Sequence, residues 1–120
     1  MKENNTLYNL TLELLKIVRS AEEEYDNRRE TDLKGDFWKE VKPFADNAHS
    51  LSKDWGEAAA AFLHKQPQKN LHPNQIKATV ENVELLTVQC FFPATSYNRF
   101  KSYIQSSFYV IEQVRVILEE

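Results

Sequence analysis

We predict an antiparallel up-down-up-down four-helix bundle for this 120-residue sequence. Apolar residues recur at spacings of three and four in four successive segments, which is typical of amphipathic helices. Only two glycines and four prolines occur, and the connections between the segments are short. Short connections place successive helices antiparallel in a bundle. Because the chain has the usual length of one domain, we expect residues 1–120 to form a single bundle.

The first helix is expected to begin after Asn4, Asn5 or Thr6, since each of these side chains can cap a helix N-terminus. Its core-facing positions recur every three or four residues, and this pattern predicts that the helix extends to about Arg29. These positions are Leu7, Leu10, Leu14, Ile17 and Ala21, widened by Val18 and Tyr25.

A turn is predicted at residues 34–36, where Gly35 would supply backbone freedom and Asp36 would cap the second helix. The second helix has the most regular apolar face in the chain. Its members are Phe37, Val41, Phe44, Ala48, Leu51, Trp55, Ala58 and Phe62. We expect Trp55, at the centre of this face, to be buried.

Pro43 lies within the second helical segment and removes one amide donor there. It must kink the helix or mark a break after a short first piece. Because the apolar face keeps its phase across Pro43, we predict a kink.

The third helix should follow a loop at residues 66–72 and begin at Pro73, which suits a first helical turn. Its predicted core face holds Ile76, Val80, Val83, Thr87 and Cys90. Pro93 ends this segment, and Thr95 or Ser96 can cap a fourth helix. The face of that helix holds Tyr97, Phe100, Ile104, Phe108, Ile111, Val114 and Leu118.

The third helix carries more apolar residues than one core face requires. Projected at about 100° per residue, Leu85, Val88 and Phe92, together with Ala78, fall roughly opposite Ile76. Such a second face either packs beneath neighbouring loop residues or forms an association surface. Leu85, Val88 and Phe92 are therefore a candidate interaction surface, with packing beneath the loop or the N-terminal residues as the alternative. We label the third predicted helix α3 and call these three residues the α3 strip.

Charge and cysteine usage exclude several classes of protein. A formal net charge of -3 without a long basic run argues against a nucleic-acid-binding domain. The single cysteine, Cys90, cannot form an intramolecular disulfide, which favours a reducing compartment. Residues 58–63 form the longest apolar run, far shorter than the roughly 20 residues that cross a bilayer. No signal-peptide stretch is evident, so we expect a cytoplasmic protein with no membrane partner.

Two regions carry a resemblance to a known family. Asp36 and Phe37, residues 41–46 and Trp55 form the first region; residues 91–92 and 99–100 form the second. In this pattern the chain resembles the YppE-like family of small helical proteins from low-GC Gram-positive bacteria. The resemblance spans nearly the whole chain. It implies a four-helix fold and no assigned activity, so it supplies no catalytic or binding residues.

A metal centre is one alternative that the sequence leaves open. Asp46 and His49 are three residues apart on one helix face, as in the Glu-x-x-His pairs of ferritin-like sites, but no second pair occurs. A three-histidine site of the DinB-like kind would use His49, His64 and His72. The first two lie about 22 Å apart along a continuous helix, which argues against this site. His64 and His72 flank the predicted loop and could approach each other, so a metal enzyme could use that pair or Asp46 with His49. We therefore assign no metal ligands, cofactor or catalytic residues.

Two further residue groups have simple structural interpretations. Cys90 is in phase with the core face of its helix and is expected to be a buried, unreactive thiol. Nine aromatic residues could line a pocket for an apolar ligand, although aromatics at helical spacing more often form the core. They are Phe37, Trp38, Phe44, Trp55, Phe62, Phe91, Phe92, Phe100 and Phe108.

These observations predict a non-enzymatic interaction protein that binds a protein partner or a second copy of itself. A metal-dependent bundle enzyme and a binder of small apolar ligands remain the alternatives. Bundles host all three functions, so the fold does not choose among them.

Overall fold

The computed structural model describes residues 2–120, with side chains from Thr6 onward. Four α-helices make up the fold: α1 (Lys2–Thr31), α2 (Lys42–Lys65), α3 (Pro73–Gln89) and α4 (Tyr97–Glu119). A π-helical turn, Phe37–Val41, runs directly into α2. Each helix packs against the next in the chain, and α1 packs against α4, which closes the four-helix bundle. No described residue forms a β-strand.

Helix length determines the shape of the molecule. The longest principal extent is 45 Å, which is about the length of the 30-residue α1 at 1.5 Å per residue. Among the described residues, no helix combines the length and apolarity needed to cross a bilayer.

The start of α1 differs from the sequence prediction. Because α1 already includes Lys2, Thr6 lies inside the helix and does not cap it. The side chains of Asn4 and Asn5, the other predicted caps, lie outside the described residues. At the other end, Asp32 adopts a left-handed conformation with φ of 57°. This conformation commonly terminates a helix, and Asp tolerates it better than most residues do.

Gly35 is required for a reason that differs from the predicted backbone freedom. Neither Gly35 nor Gly56 has a positive φ. The Gly35 amide instead donates to the Phe91 carbonyl at 2.8 Å. A Cβ atom at residue 35 would lie 2.9 Å from the Phe91 Cβ, closer than such atoms pack. Gly35 therefore permits a close approach between the α1–α2 connection and the end of α3.

The predicted cap at Asp36 is confirmed, since its side chain accepts a hydrogen bond from the Lys39 amide. Helical backbone then continues through Pro43, which occupies the first turn of α2 next to the π-helical turn. In an α-helix the proline ring would crowd the Lys39 carbonyl and could not donate to it. A wider π-type turn ahead of Pro43 avoids this conflict. At the position of the predicted kink, the structure shows a change of helix type, from the π-helical turn to α2.

The core is built from the predicted apolar faces. Leu7, Trp55, Val83 and Phe100 are fully buried, and all belong to the one continuous core cluster. The predicted cap at Ser96 is also confirmed, because its side chain accepts from the Arg99 amide at 3.3 Å. Leu71, in the α2–α3 loop, is buried as well, although the sequence pattern gave no reason to place it in the core.

Candidate binding surfaces

The α3 strip is divided between the surface and the core. Leu85 is exposed, with 45% of its surface accessible. Val88 and Phe92 are half-buried and pack against the core cluster. Ala78, on the same arc, is exposed. The α3 strip therefore offers one fully accessible apolar side chain and two partly accessible ones.

The histidines and Asp46 take part in local structure. His49 is half-buried, and its Nε2 lies 3.1 Å from the Glu84 carbonyl oxygen of α3. Asp46 accepts a hydrogen bond from Lys42 Nζ at 2.8 Å. His64 is exposed near the end of α2, and His72 is the N-cap residue of α3. Among the side chains of residues 6–120, no three His, Cys, Asp or Glu groups are placed to hold one metal ion.

Cys90 lies where its phase in the sequence predicts, fully buried at the C-cap of α3. Burial raises the pKa of its thiol to about 12. The thiolate is the nucleophilic form of cysteine, so this side chain is unreactive in the folded protein near neutral pH.

The nine aromatic residues do not line one internal pocket. Trp55, Phe91 and Phe100 are buried in the core. Tyr25 stacks on Phe100 with ring centroids 4.0 Å apart, so its ring joins them. Phe44, Phe62, Phe92 and Phe108 are half-buried. The remaining two, Phe37 and Trp38, are exposed, which shows that the prediction of Phe37 as a core residue is wrong.

Leu33, Phe37 and Trp38 form an exposed apolar surface between α1 and α2, and we call these residues the aromatic turn. Their exposed fractions are 64%, 54% and 73%. The Phe37 and Trp38 rings meet edge to face, with centroids 5.1 Å apart. One signal of this surface was present in the sequence, because Trp38 lies out of phase with the core face of the second helix.

Polar contacts hold the backbone of the aromatic turn in place. Arg28 Nε donates to Glu24 Oε2 at 2.9 Å, and Arg28 Nη1 donates to the Leu33 carbonyl at 3.3 Å. A third guanidinium nitrogen of Arg28 pairs with Glu40. Glu40 Oε1 also accepts from the Asp36 amide at 2.9 Å. These contacts fix both ends of the exposed segment to α1.

The same contacts act on the charge of Glu40. The backbone hydrogen bond from Asp36 lowers the pKa of the Glu40 carboxyl, and the Arg28 guanidinium lowers it further. Both partners stabilise the ionised form, so Glu40 keeps its charge in mildly acidic solution.

A separate groove of about 780 Å³ lies between α1, α4 and the α2–α3 loop. Its apolar lining comprises Val18, Leu71, Ile104, Phe108, Val116 and Ile117. Sequence reasoning did not find this groove, because the three segments that form it are far apart in the chain.

Charged side chains border the groove. The Arg19 guanidinium lies over the Phe108 ring, 5.0 Å from its centroid. Glu22 is paired with Lys101 at 2.9 Å. Glu112 is paired with Arg115. Both carboxylates in the lining therefore already have cationic partners.

Comparison with known proteins places the chain among small bacterial proteins. Residues 11–117 match the family described as a bacterial domain of unknown function, DUF1798. The uncharacterized protein YppE of Bacillus subtilis is 23% identical over 112 residues, covering 93% of this chain and 91% of YppE.

Solved structures agree in fold. A Listeria innocua protein of unknown function has a TM-score of 0.93 at 28% identity, over 98% of this chain and 94% of its own. A Staphylococcus aureus member of the DUF1798 family has a TM-score of 0.86 at 20% identity, over 95% and 96% of the two chains. The YppE-like resemblance predicted from the sequence is confirmed, and the chain belongs to the DUF1798 family.

Proposed function

We propose that this protein acts by binding another protein, with the aromatic turn as its principal contact surface. The exposure of Trp38, Phe37 and Leu33 together is the observation that carries the proposal. Tryptophan and other aromatic residues dominate the binding energy of protein interfaces when a partner buries them. The bundle then serves as the rigid support on which this surface is displayed.

The fixed backbone of the aromatic turn favours binding. Arg28, Glu40 and Asp36 hold this segment to α1 through hydrogen bonds and an ion pair. A segment that is already ordered loses little conformational entropy when a partner covers it. The exposed rings therefore have the properties of a preformed contact.

The α3 strip can extend the same surface. The hydrogen bond from Gly35 to the Phe91 carbonyl places the α1–α2 connection beside the end of α3, next to Phe92. Phe92 lies just beyond Gln89, the last residue of α3, and Leu85 lies about one helical turn inside that end and is exposed. A partner that covers the aromatic turn at this end of the bundle could therefore reach Phe92 first and Leu85 last.

Site-specific photo-cross-linking tests this proposal. A photoreactive amino acid replaces the exposed Lys39, next to Trp38, and the protein is irradiated in cells of its source organism. We expect a defined cross-linked product containing a protein partner or a second copy of the chain. The double variant F37S/W38S should lose this product, because serine removes both rings from the contact.

The matched control is Tyr109→Ser, which removes an exposed aromatic residue from α4. Circular dichroism and thermal unfolding verify that both variants remain folded. The Tyr109→Ser protein should give the parental product. An undiminished product from F37S/W38S, or no defined product from the parent, would contradict the proposal.

A further inference from the structure

We propose that the groove between α1, α4 and the α2–α3 loop binds an amphipathic monocarboxylate, a molecule with an apolar chain or ring and one carboxylate. This site shares no residue with the aromatic turn or the α3 strip. The binding activity proposed for those surfaces can therefore fail without affecting the groove.

The size and lining of the groove suit an apolar body. Its volume of about 780 Å³ lies within the range of about 300 to 1,000 Å³ that is usual for small-molecule sites. Phe108 and Val116 supply apolar surface from α4, and Leu71 supplies it from the opposite loop. Val116 is exposed although it faces this cavity. A ligand that covered Val116 would remove apolar surface from water, which favours binding.

The charged side chains that line the groove favour an anionic ligand. Arg19 and Lys69 line the groove, and neither has an ion-pair partner among the side chains that the structure describes. The lining carboxylates Glu22 and Glu112 are each already paired with a cation. An incoming carboxylate would therefore meet two available cations. Charge-assisted hydrogen bonds of this kind are stronger than neutral ones.

Gln113 supplies a third polar group. Its side-chain oxygen is buried and has no hydrogen-bond partner, while its Nε2 donates to the Tyr109 hydroxyl at 3.3 Å. A hydroxyl both donates and accepts, so a half-turn of the amide keeps the contact to Tyr109 with the oxygen as acceptor. The turned amide then has an unpartnered N–H group in place of the unpartnered oxygen, on a residue that lines the groove.

Octanoate, 1-octanol and octylammonium test the proposal, because the three probes share one tail and differ in the head group. Binding to the full chain is followed by ¹H–¹⁵N NMR below the concentrations at which the probes aggregate. Octanoate should shift the amide resonances of α4 around Phe108 and Gln113. It should bind at least about tenfold more tightly than octanol, as a charge-assisted hydrogen bond implies. Octylammonium should bind most weakly.

Charge-neutralising variants separate the role of the cations from that of the apolar lining. Arg19→Gln and Lys69→Gln together should weaken octanoate binding by about tenfold or more and leave octanol binding unchanged. Lys53→Gln, which removes an exposed lysine of α2 outside the groove, should change neither. Val116→Glu should weaken octanoate more than octanol, since it places a negative charge on the groove wall.

Four outcomes would overturn the proposal. Octanoate could bind no more tightly than octanol or octylammonium, its resonance shifts could lie outside the groove, or the double variant could retain full affinity. Absence of binding by all three probes would also overturn it, because the apolar lining alone should retain octanol.

Discussion

The indole Nε1 of Trp55 donates a hydrogen bond to Thr11 Oγ1 across the bundle core at 3.1 Å. Thr11 in turn donates to the Leu7 carbonyl at 2.7 Å. Both Trp55 and Thr11 are fully buried. The two hydrogen bonds therefore satisfy the indole N–H and the threonine hydroxyl, neither of which has access to water. The bond from Trp55 joins α1 to α2 at the largest side chain of the core.

Trp55→Ala should lower the free energy of unfolding by about 3 to 5 kcal/mol, as truncations of buried aromatic residues do. Chemical denaturation measures the loss. Trp38→Ala, which truncates the exposed tryptophan, is the matched control and should change stability by less than about 0.5 kcal/mol. A loss below about 1 kcal/mol for Trp55→Ala would contradict the burial of this ring.

Thr11→Val should cost about 1 to 3 kcal/mol, because it keeps the side-chain shape and leaves the Trp55 N–H without a partner. A double-mutant cycle with Trp55→Phe, which removes the N–H, tests the cause. The cost of Thr11→Val should shrink in the Trp55→Phe background. An equal cost in both backgrounds would show that the hydrogen bond contributes nothing to stability.

Gly35→Ala should destabilise the protein by about 1 to 3 kcal/mol, since the added methyl group forces the α1–α2 connection away from Phe91. The same substitution in a Phe91→Ala background should cost less, because alanine removes the ring atom Cδ1, which also lies 2.9 Å from the added methyl group, and leaves only the Cβ contact. Thermal and chemical unfolding of the four proteins measure both costs. A neutral Gly35→Ala variant would contradict the close approach.

Glu40→Gln should lower stability at neutral pH, and the difference should disappear in acid. The folded pKa of Glu40 lies below its ordinary value of 4.5. A carboxyl group with a lowered folded pKa stabilises the protein above its unfolded pKa. This contribution is lost as the pH falls from about 4.5 through the lower folded value. Unfolding curves measured from neutral pH down to the acid range in which Glu40 of the folded protein becomes protonated show whether the difference disappears.

The control for Glu40 is Glu57→Gln, which removes an exposed carboxylate that has no ion pair among the described residues. It separates the specific contacts of Glu40 from the general effect of net charge. A difference between parent and Glu40→Gln that grows as the pH falls would have the wrong sign for a lowered pKa.

His49→Ala should cost about 0.5 to 1.5 kcal/mol, the usual net contribution of one hydrogen bond. The reason is the contact between its Nε2 and the Glu84 carbonyl oxygen of α3. His64→Ala, on an exposed histidine, should stay within about 0.5 kcal/mol of the parent. Equal stability of the two variants would show that the His49 contact contributes nothing to folding.

The sequence by itself determined the helices and most of the core. On each helix, apolar residues recur every three or four positions, and this spacing fixes which face is apolar. Leu14 and Ala21 mark that face on α1, Trp55 marks it on α2, and Ile111 marks it on α4. Burial of these faces stabilises the bundle. Local chemistry also identified the caps at Asp36 and Ser96, since a cap involves residues only three positions apart. These features depend on neighbours in the chain, which a sequence displays directly.

Only the tertiary structure decided the surfaces. Phe37 shares the phase of the α2 core face but is exposed, because the π-helical turn lies beyond the end of that packed helix. Glycine is needed at residue 35 because Phe91 lies so close to it. The groove forms where Arg19, Leu71 and Phe108 come together. Residues so far apart in sequence meet only after the helices pack, and helical spacing carries no information about which of them will meet.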